Sequence, residues 1–132
     1  MGDKQDWSTF EVNNTLVQSL KANGFAHPTE VQARSLVHLT SKVDMIIAAR
    51  TGQGKTLCFG VPILDLCIQK IEKAQEKGEE SDAKFSFEGV VGLVLSPTRE
   101  LAIQIKDMIE AVIPSQHQDT IKVAAIVGGM SI

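Results

Sequence analysis

The chain has 132 residues, 43% of them apolar and 22% charged, which is the size and balance of one ordinary globular domain. Its net charge of −3 excludes a generally basic surface of the kind that coats nucleic acid, without bearing on a local site. No run approaches the ~20 apolar residues of a membrane span; the opening "MGDKQDW" has no signal-peptide core, and Asp6 stands where a myristoylation signal needs Ser or Thr. Cys58 and Cys67 lie in apolar surroundings with no metal-binding spacing, and read as reduced core cysteines of an intracellular protein.

Residues 1–11 form a polar lead-in carrying two aromatics, Trp7 and Phe10. Residues 12–23 set Val12, Leu16, Val17 and Leu20 on one helical face, and Asn23-Gly24 closes that helix. A second helix opens at "HPTEVQARSLVHL", with Pro28 near its first turn and Thr29-x-x-Gln32 spaced as a capping box. Residues 43–48, "VDMIIA", read as a buried strand. A glycine loop follows, then a helix from Lys55 towards Lys70, with Gly60 and Pro62 marking a weak point early in it. Residues 70–88 are a charged surface insertion in which Glu79–Asp82 is solvated.

Residues 90–95, "VVGLVL", read as a second buried strand. "SPTRELAIQIKDMIEAVIP" is a third clear helix, with Leu101, Ile105, Met108, Ile109 and Val112 at core spacing and Pro114 stopping it. "IKVAAIVGG", residues 121–129, is a third strand running into a glycine turn. His27, His38 and His117 share no spacing with carboxylates or cysteines, and read as surface or helix-face residues. Continuous apolar strands alternating with helices predict an α/β fold, a parallel sheet covered on both faces and joined by right-handed crossovers.

The order strand, glycine loop, helix gives "ARTGQGKT", residues 49–56, a chemical purpose. Such a loop wraps phosphates in backbone N–H groups, and glycine lets the backbone approach closely. The helix that follows aims its positive end at the same anion. In that arrangement Lys55 reaches the β- and γ-phosphates of a nucleotide, and the Thr56 hydroxyl coordinates Mg²⁺. Ala49 occupies the place of the first glycine of the general pattern, and is small enough for a tight loop. Residues Ala49, Arg50, Thr51, Gly52, Gln53, Gly54, Lys55 and Thr56 are therefore the candidate phosphate site.

Two further stretches narrow the class. "GFAHPTEVQ", Gly24 to Gln32, resembles the Q motif of the DEAD-box RNA helicases, with Trp7 placed 17 residues before Gly24, where that family carries an upstream aromatic. "SPTRELAIQ" resembles the same family's P-T-R-E-L-A motif over Pro97, Thr98, Arg99, Glu100, Leu101 and Ala102, and "VGG" its paired glycines, Gly128 and Gly129. The resemblance covers most of residues 7–132. It implies that 12–132 are the N-terminal part of a first RecA-like P-loop domain, with three strands of an incomplete sheet. It implies ATP and Mg²⁺ as cofactors, with Gln32 reading adenine and Thr29 beside it. Phe25 or Trp7 would pack on the base or support the motif. It further implies that Pro97, Thr98, Arg99, Glu100, Gly128 and Gly129 hold the RNA backbone without reading sequence.

The residues alone leave alternatives. An amide can pair bidentately with adenine, yet Gln32 can equally close the capping box with Thr29, and one side chain can do both. "PTRE" suits backbone phosphate and equally suits a helix N-cap with an acid in its first turn. Gln53 stands where the family has a small residue, and Arg50 where it has Gln or an acid. "HPTEVQA", Trp7 and "VGGMS" are most similar to the nucleolar helicases of large-subunit ribosome assembly, so a nuclear or nucleolar setting is expected.

The Asp-Glu-Ala-Asp and Ser-Ala-Thr motifs of the family have no match here, nor does its second domain with the arginine finger. ATP hydrolysis needs a second carboxylate for Mg²⁺, a group to position water and a cation for developing charge. The chain is accordingly expected to be a fragment, truncated isoform or incomplete gene product. By itself it is expected not to turn over ATP, to lack helicase partner domains, and to be poorly soluble or self-associating. Two other readings fit the loop: a non-catalytic nucleotide- or RNA-binding module, and another P-loop enzyme such as a small-molecule kinase.

Overall fold

In the computed structural model, residues 5–39, 41–76 and 90–129 are described. The lead-in is ordered by its own side chains. Asp6 accepts a hydrogen bond from the Ser8 N–H at 3.0 Å and opens a 3-10 turn over Trp7–Phe10, which Glu11 closes. Trp7 and Phe10 are both buried, so a segment polar in composition ends inside the core. Asn13 then caps α1 (Asn14–Ala22) by accepting the Thr15 N–H at 2.9 Å. Leu16, Val17 and Leu20 of α1 are buried along with Val12, the face that the periodicity marked out.

Helix α2 (Glu30–Leu36) carries the complete capping box between Thr29 and Gln32. Helix α3 (Lys55–Glu76) runs 22 residues through Pro62 without a break. An interior proline costs about 3 kcal/mol. Burial of Leu57, Val61, Leu64, Ile68 and Ile71 outweighs it, at roughly 1.5–3 kcal/mol for each large side chain. Gly60, the other expected weak point, marks a close approach: a Cβ there would sit 3.3 Å from Cγ1 of Ile109. Ile109 belongs to α4 (Arg99–Ala111), which Thr98 caps through the Leu101 N–H at 3.2 Å. Ile109 and Val112 are buried and Ile105 and Met108 pack against the core, but Leu101 is exposed.

Helix α3 is the hub, packing against α1, α2 and α4. The Ser19 hydroxyl donates to the Val112 carbonyl at 2.7 Å, joining α1 to the end of α4 and satisfying one of its free carbonyls. A second 3-10 turn, Ser115–His117, follows Pro114 and buries His117, so this histidine is not a surface residue. Of the charged insertion, residues 70–76 are the last two turns of α3, and residues 77–88 lie outside the described residues. No helix among the described residues is long and apolar enough to cross a membrane.

The expected α/β parallel sheet is not formed: among the described residues there is no strand, and the regular structure is helical. The segments 43–48, 90–95 and 121–129 are irregular. A strand exists through its ladder of hydrogen bonds to a neighbour, and no backbone hydrogen bond joins these three segments to one another. Parts of each lie against the helices. Residues 45–48 border a cavity of about 300 Å³ beside α2, Gly92 would bring a Cβ within 2.7 Å of Ile63, and Ile121 and Val123 join the core. Much of their apolar surface still stands in solvent: Ile46, Val90, Leu93, Leu95 and Ile126 are all exposed. Strand-forming composition thus placed these segments on the helical layer without pairing them.

Asp6 supplies a pH-dependent tie. The Ser8 backbone N–H first, and then the Lys21 ammonium at 2.9 Å, hold its carboxyl well below the usual carboxylate range. A carboxylate depressed by folding stabilises fully above its unfolded pKa of about 4, and that contribution disappears as pH falls through the lower folded value. Asp6→Ala is therefore expected to lower Tm at pH 7, with the gap to wild type closing in strong acid. Paired thermal melts across that range check it, and a gap independent of pH contradicts it.

Candidate nucleotide-binding site

Residues 50–54 form a tight loop leading directly into α3. The Gln53 N–H donates to the Arg50 carbonyl at 3.3 Å, and Gly52 and Gly54 take φ of +89° and +77°. Those angles favour glycine. Lys55 and Thr56 are the first two residues of α3, Lys55 exposed and Thr56 half-buried. Arg50, Thr51, Gly52 and Gln53 are exposed, and Ala49 is half-buried at the loop's start. The free N–H groups of the α3 N-terminus lie at this exposed loop.

The start of α2 braces the loop from the side. The Thr29 hydroxyl donates to the Gln53 carbonyl at 2.8 Å, and Gln32 Nε2 donates to the Gly54 carbonyl at 2.9 Å. Gln32 Oε1 accepts the Thr29 N–H at 2.8 Å. The capping box is therefore real, and the same amide reaches 22 residues along the chain to the glycine loop. A primary amide has two N–H donors and two lone pairs, and these two bonds use one of each. Gln32 is only 2% exposed.

The two aromatics divide clearly. Trp7 is fully buried, and its Nε1 donates to the Phe25 carbonyl at 2.7 Å. Phe25 is half-buried and keeps some surface. Trp7 thus supports the backbone that presents Phe25, instead of facing outwards itself.

The other candidate residues gather at the N-terminus of α4. Pro97, Thr98, Arg99 and Glu100 are exposed. The Thr98 hydroxyl is committed to the cap, and Ser96 Oγ donates to the Thr98 carbonyl at 3.2 Å. Arg99 Nη2 donates to the Gly128 carbonyl, and a Cβ on Gly129 would lie 3.1 Å from that same nitrogen. Residues 97–100 and 128–129 are therefore neighbours, which sequence order does not reveal. No cluster of three or more His, Cys, Asp or Glu side chains suited to a metal occurs among the described residues. Sequence reasoning also missed buried Asp65 on α3, whose carboxylate accepts the Asn13 backbone N–H at 2.8 Å. Only its polarity within an apolar helix face could have signalled it.

A loop turned by two positive-φ glycines leads into a helix whose first turn holds Lys55 and Thr56, which is the arrangement of a P-loop. Residues 29–132 match the DEAD/DEAH box helicase family, and the chain belongs to that family. It is 34% identical to the ATP-dependent RNA helicase MAK5 of Ajellomyces capsulatus, across 99% of this chain and 17% of that protein. It is 37% identical to DEAD-box ATP-dependent RNA helicase 13 of Arabidopsis thaliana, across 94% and 15%. To the ATP-dependent rRNA helicase SPB4 of Scheffersomyces stipitis it is 34% identical, across 96% and 21%. The chain spans 15–21% of the length of these relatives.

Proposed function

We propose that residues 1–132 form the ATP-binding part of an ATP-dependent RNA helicase, whose intact form uses ATP to unwind or remodel RNA. The carrying observation is the pair of hydrogen bonds from Thr29 and Gln32 onto the carbonyls of Gln53 and Gly54. They join a segment suited to a purine to a loop suited to a triphosphate. Phe25 packs on the base and Gln32 contacts its edge. The backbone of residues 49–54 and Lys55 hold the phosphates, and Thr56 offers one oxygen to Mg²⁺. A single hydroxyl fits this ion, because Mg²⁺ in such sites takes most of its other ligands from phosphate and water.

Arg99, Thr98 and the α4 N-terminus, with Pro97, Glu100, Gly128 and Gly129, contact the RNA backbone and not its bases. The remaining helicase domains complete the catalytic centre, so these 132 residues bind ATP without hydrolysing it. The similarity to an rRNA helicase and the resemblance around Trp7 and "HPTEVQA" support ribosome assembly in the nucleolus as the setting.

The test is RNA-stimulated ATP hydrolysis and duplex unwinding by the full-length protein. Lys55→Ala is expected to lower hydrolysis by about two orders of magnitude or more, as loss of a principal phosphate-stabilising group does. Unchanged hydrolysis refutes the assignment of the loop. Phosphate release by residues 1–132 alone, abolished in Lys55→Ala, refutes the division between binding and hydrolysis.

A further inference from the structure

We infer that Asp65 is a positioning residue for the nucleotide site, anchoring to α3 the lead-in that holds Phe25. This rests on the reading of the site just given. Asp65 sits midway along α3 and is 3% exposed. A carboxylate so deeply buried survives only with its oxygens satisfied. One oxygen accepts the Asn13 N–H at 2.8 Å, and the other accepts Gln69 Nε2 at 2.7 Å. The ion pairs of the described residues do not include it. Asn13 also donates its side-chain amide to Glu72 Oε1 at 3.0 Å. Asp65 and Glu72 of α3 thus both accept from Asn13 on another element, and Gln69 holds Asp65 from within α3. Asn13 is the N-cap of α1, where a carboxylate also meets the favourable end of the helix dipole.

Besides the Asp6–Lys21 pair, the lead-in is held at residues 7 and 13. At residue 13 the hold is Asp65; at residue 7 it is the bond from Trp7 Nε1 to the Phe25 carbonyl. Phe25 leads in turn to Thr29 and Gln32, which reach the glycine loop. The loop ends at Lys55, ten residues before Asp65 on the same helix, or ~15 Å at 1.5 Å per residue. The base side and the phosphate side of the site are therefore both referred to α3, the one through Asp65 and the other through Lys55. Removing the Asp65 oxygens loosens the lead-in under Phe25 and leaves the Lys55 end of α3 in place.

The measurement uses residues 1–132, among which Trp7 is the sole tryptophan. Wild type, Asp65→Ala and Asp65→Asn are titrated with ATP and with inorganic tripolyphosphate, which has no base, and Trp7 is quenched with acrylamide. Asp65→Ala is expected to weaken ATP about tenfold, the size of one lost charge-assisted hydrogen bond, while tripolyphosphate stays within about twofold. Trp7 should become more accessible to quencher. Asp65→Asn keeps an acceptor oxygen for Asn13 and is expected to resemble wild type. If Asp65→Ala does not fold, Asn13→Pro carries the test against Asn13→Ala, since φ of −51° accepts proline, both variants lose the cap and the Glu72 bond, and only proline deletes that N–H.

Equal weakening of both ligands points to general destabilisation and overturns the inference. So does unchanged ATP affinity, or an Asp65→Asn as damaged as Asp65→Ala. A wild-type chain that binds neither ligand overturns the reading of the site and this inference with it. A wild-type chain that binds both, beside an Asp65→Ala that matches it, overturns this inference alone.

Discussion

Gly54→Ala is expected to weaken ATP binding by about a hundredfold or more, and Gly52→Ala by roughly five- to thirtyfold, each 1.4 kcal/mol being one factor of ten. Both glycines have positive φ, so an alanine at either meets the left-handed penalty of about 1–2 kcal/mol. Their surroundings differ. A Cβ on Gly52 meets nothing within 4 Å. A Cβ on Gly54 collides with the Gln32 amide, which is buried and already bonded to Thr29. Relieving that collision moves Gln32 off the Gly54 carbonyl, losing a hydrogen bond of about 1 kcal/mol and adding about 1–3 kcal/mol of overpacking. Titrating both variants with ATP decides the matter. Equal effects from the two substitutions would mean that the brace from Gln32 is irrelevant to the loop.

The second large effect is at Gln32 itself. Gln32→Ala leaves the Gly54 carbonyl and the Thr29 N–H without their partner, at about 1–3 kcal/mol for each that stays buried. ATP affinity is expected to fall by about ten- to a hundredfold, and preference for ATP over GTP to disappear, because nothing else at the helix start carries a matching donor and acceptor. Gln32→Glu should be worse. It keeps an acceptor for the Thr29 N–H but sets a carboxylate oxygen against the Gly54 carbonyl, inside a buried position and beside the proposed phosphates. Competitive displacement with ATP and GTP ranks the three chains. Glutamate binding better than alanine would contradict this account of the side chain, and retained ATP preference in Gln32→Ala would contradict its role at the base.

Features set by neighbours in sequence are legible in the sequence itself. The Thr29–Gln32 capping box, the Thr98 cap of α4 and the apolar face of α1 each depend on residues three or four apart, and all three are present. The glycine loop before Lys55 is equally local. Strand pairing is not. Residues 43–48, 90–95 and 121–129 have the composition of buried strands, but a ladder depends on partners far along the chain, and it does not form among the described residues.

Long-range polar contacts were illegible for a related reason. Asn13 and Asp65 are 52 residues apart and Arg99 and Gly128 are 29 apart, and neither pair has a spacing that announces contact. Trp7 was visible as an aromatic, but its burial and its bond to the Phe25 carbonyl depend on α1 folding back between them. Leu101 shows the limit of periodicity: it falls on the core stripe of α4 by spacing and is exposed at the helix's first turn.

A crystal structure of the chain soaked with a non-hydrolysable ATP analogue tests the central claim most directly. The triphosphate should lie on the backbone amides of residues 50–54 and the N-terminus of α3, with the adenine ring against Phe25 and its edge towards Gln32. An unoccupied loop at saturating analogue, or a base lying away from Phe25 and Gln32, would contradict the assignment.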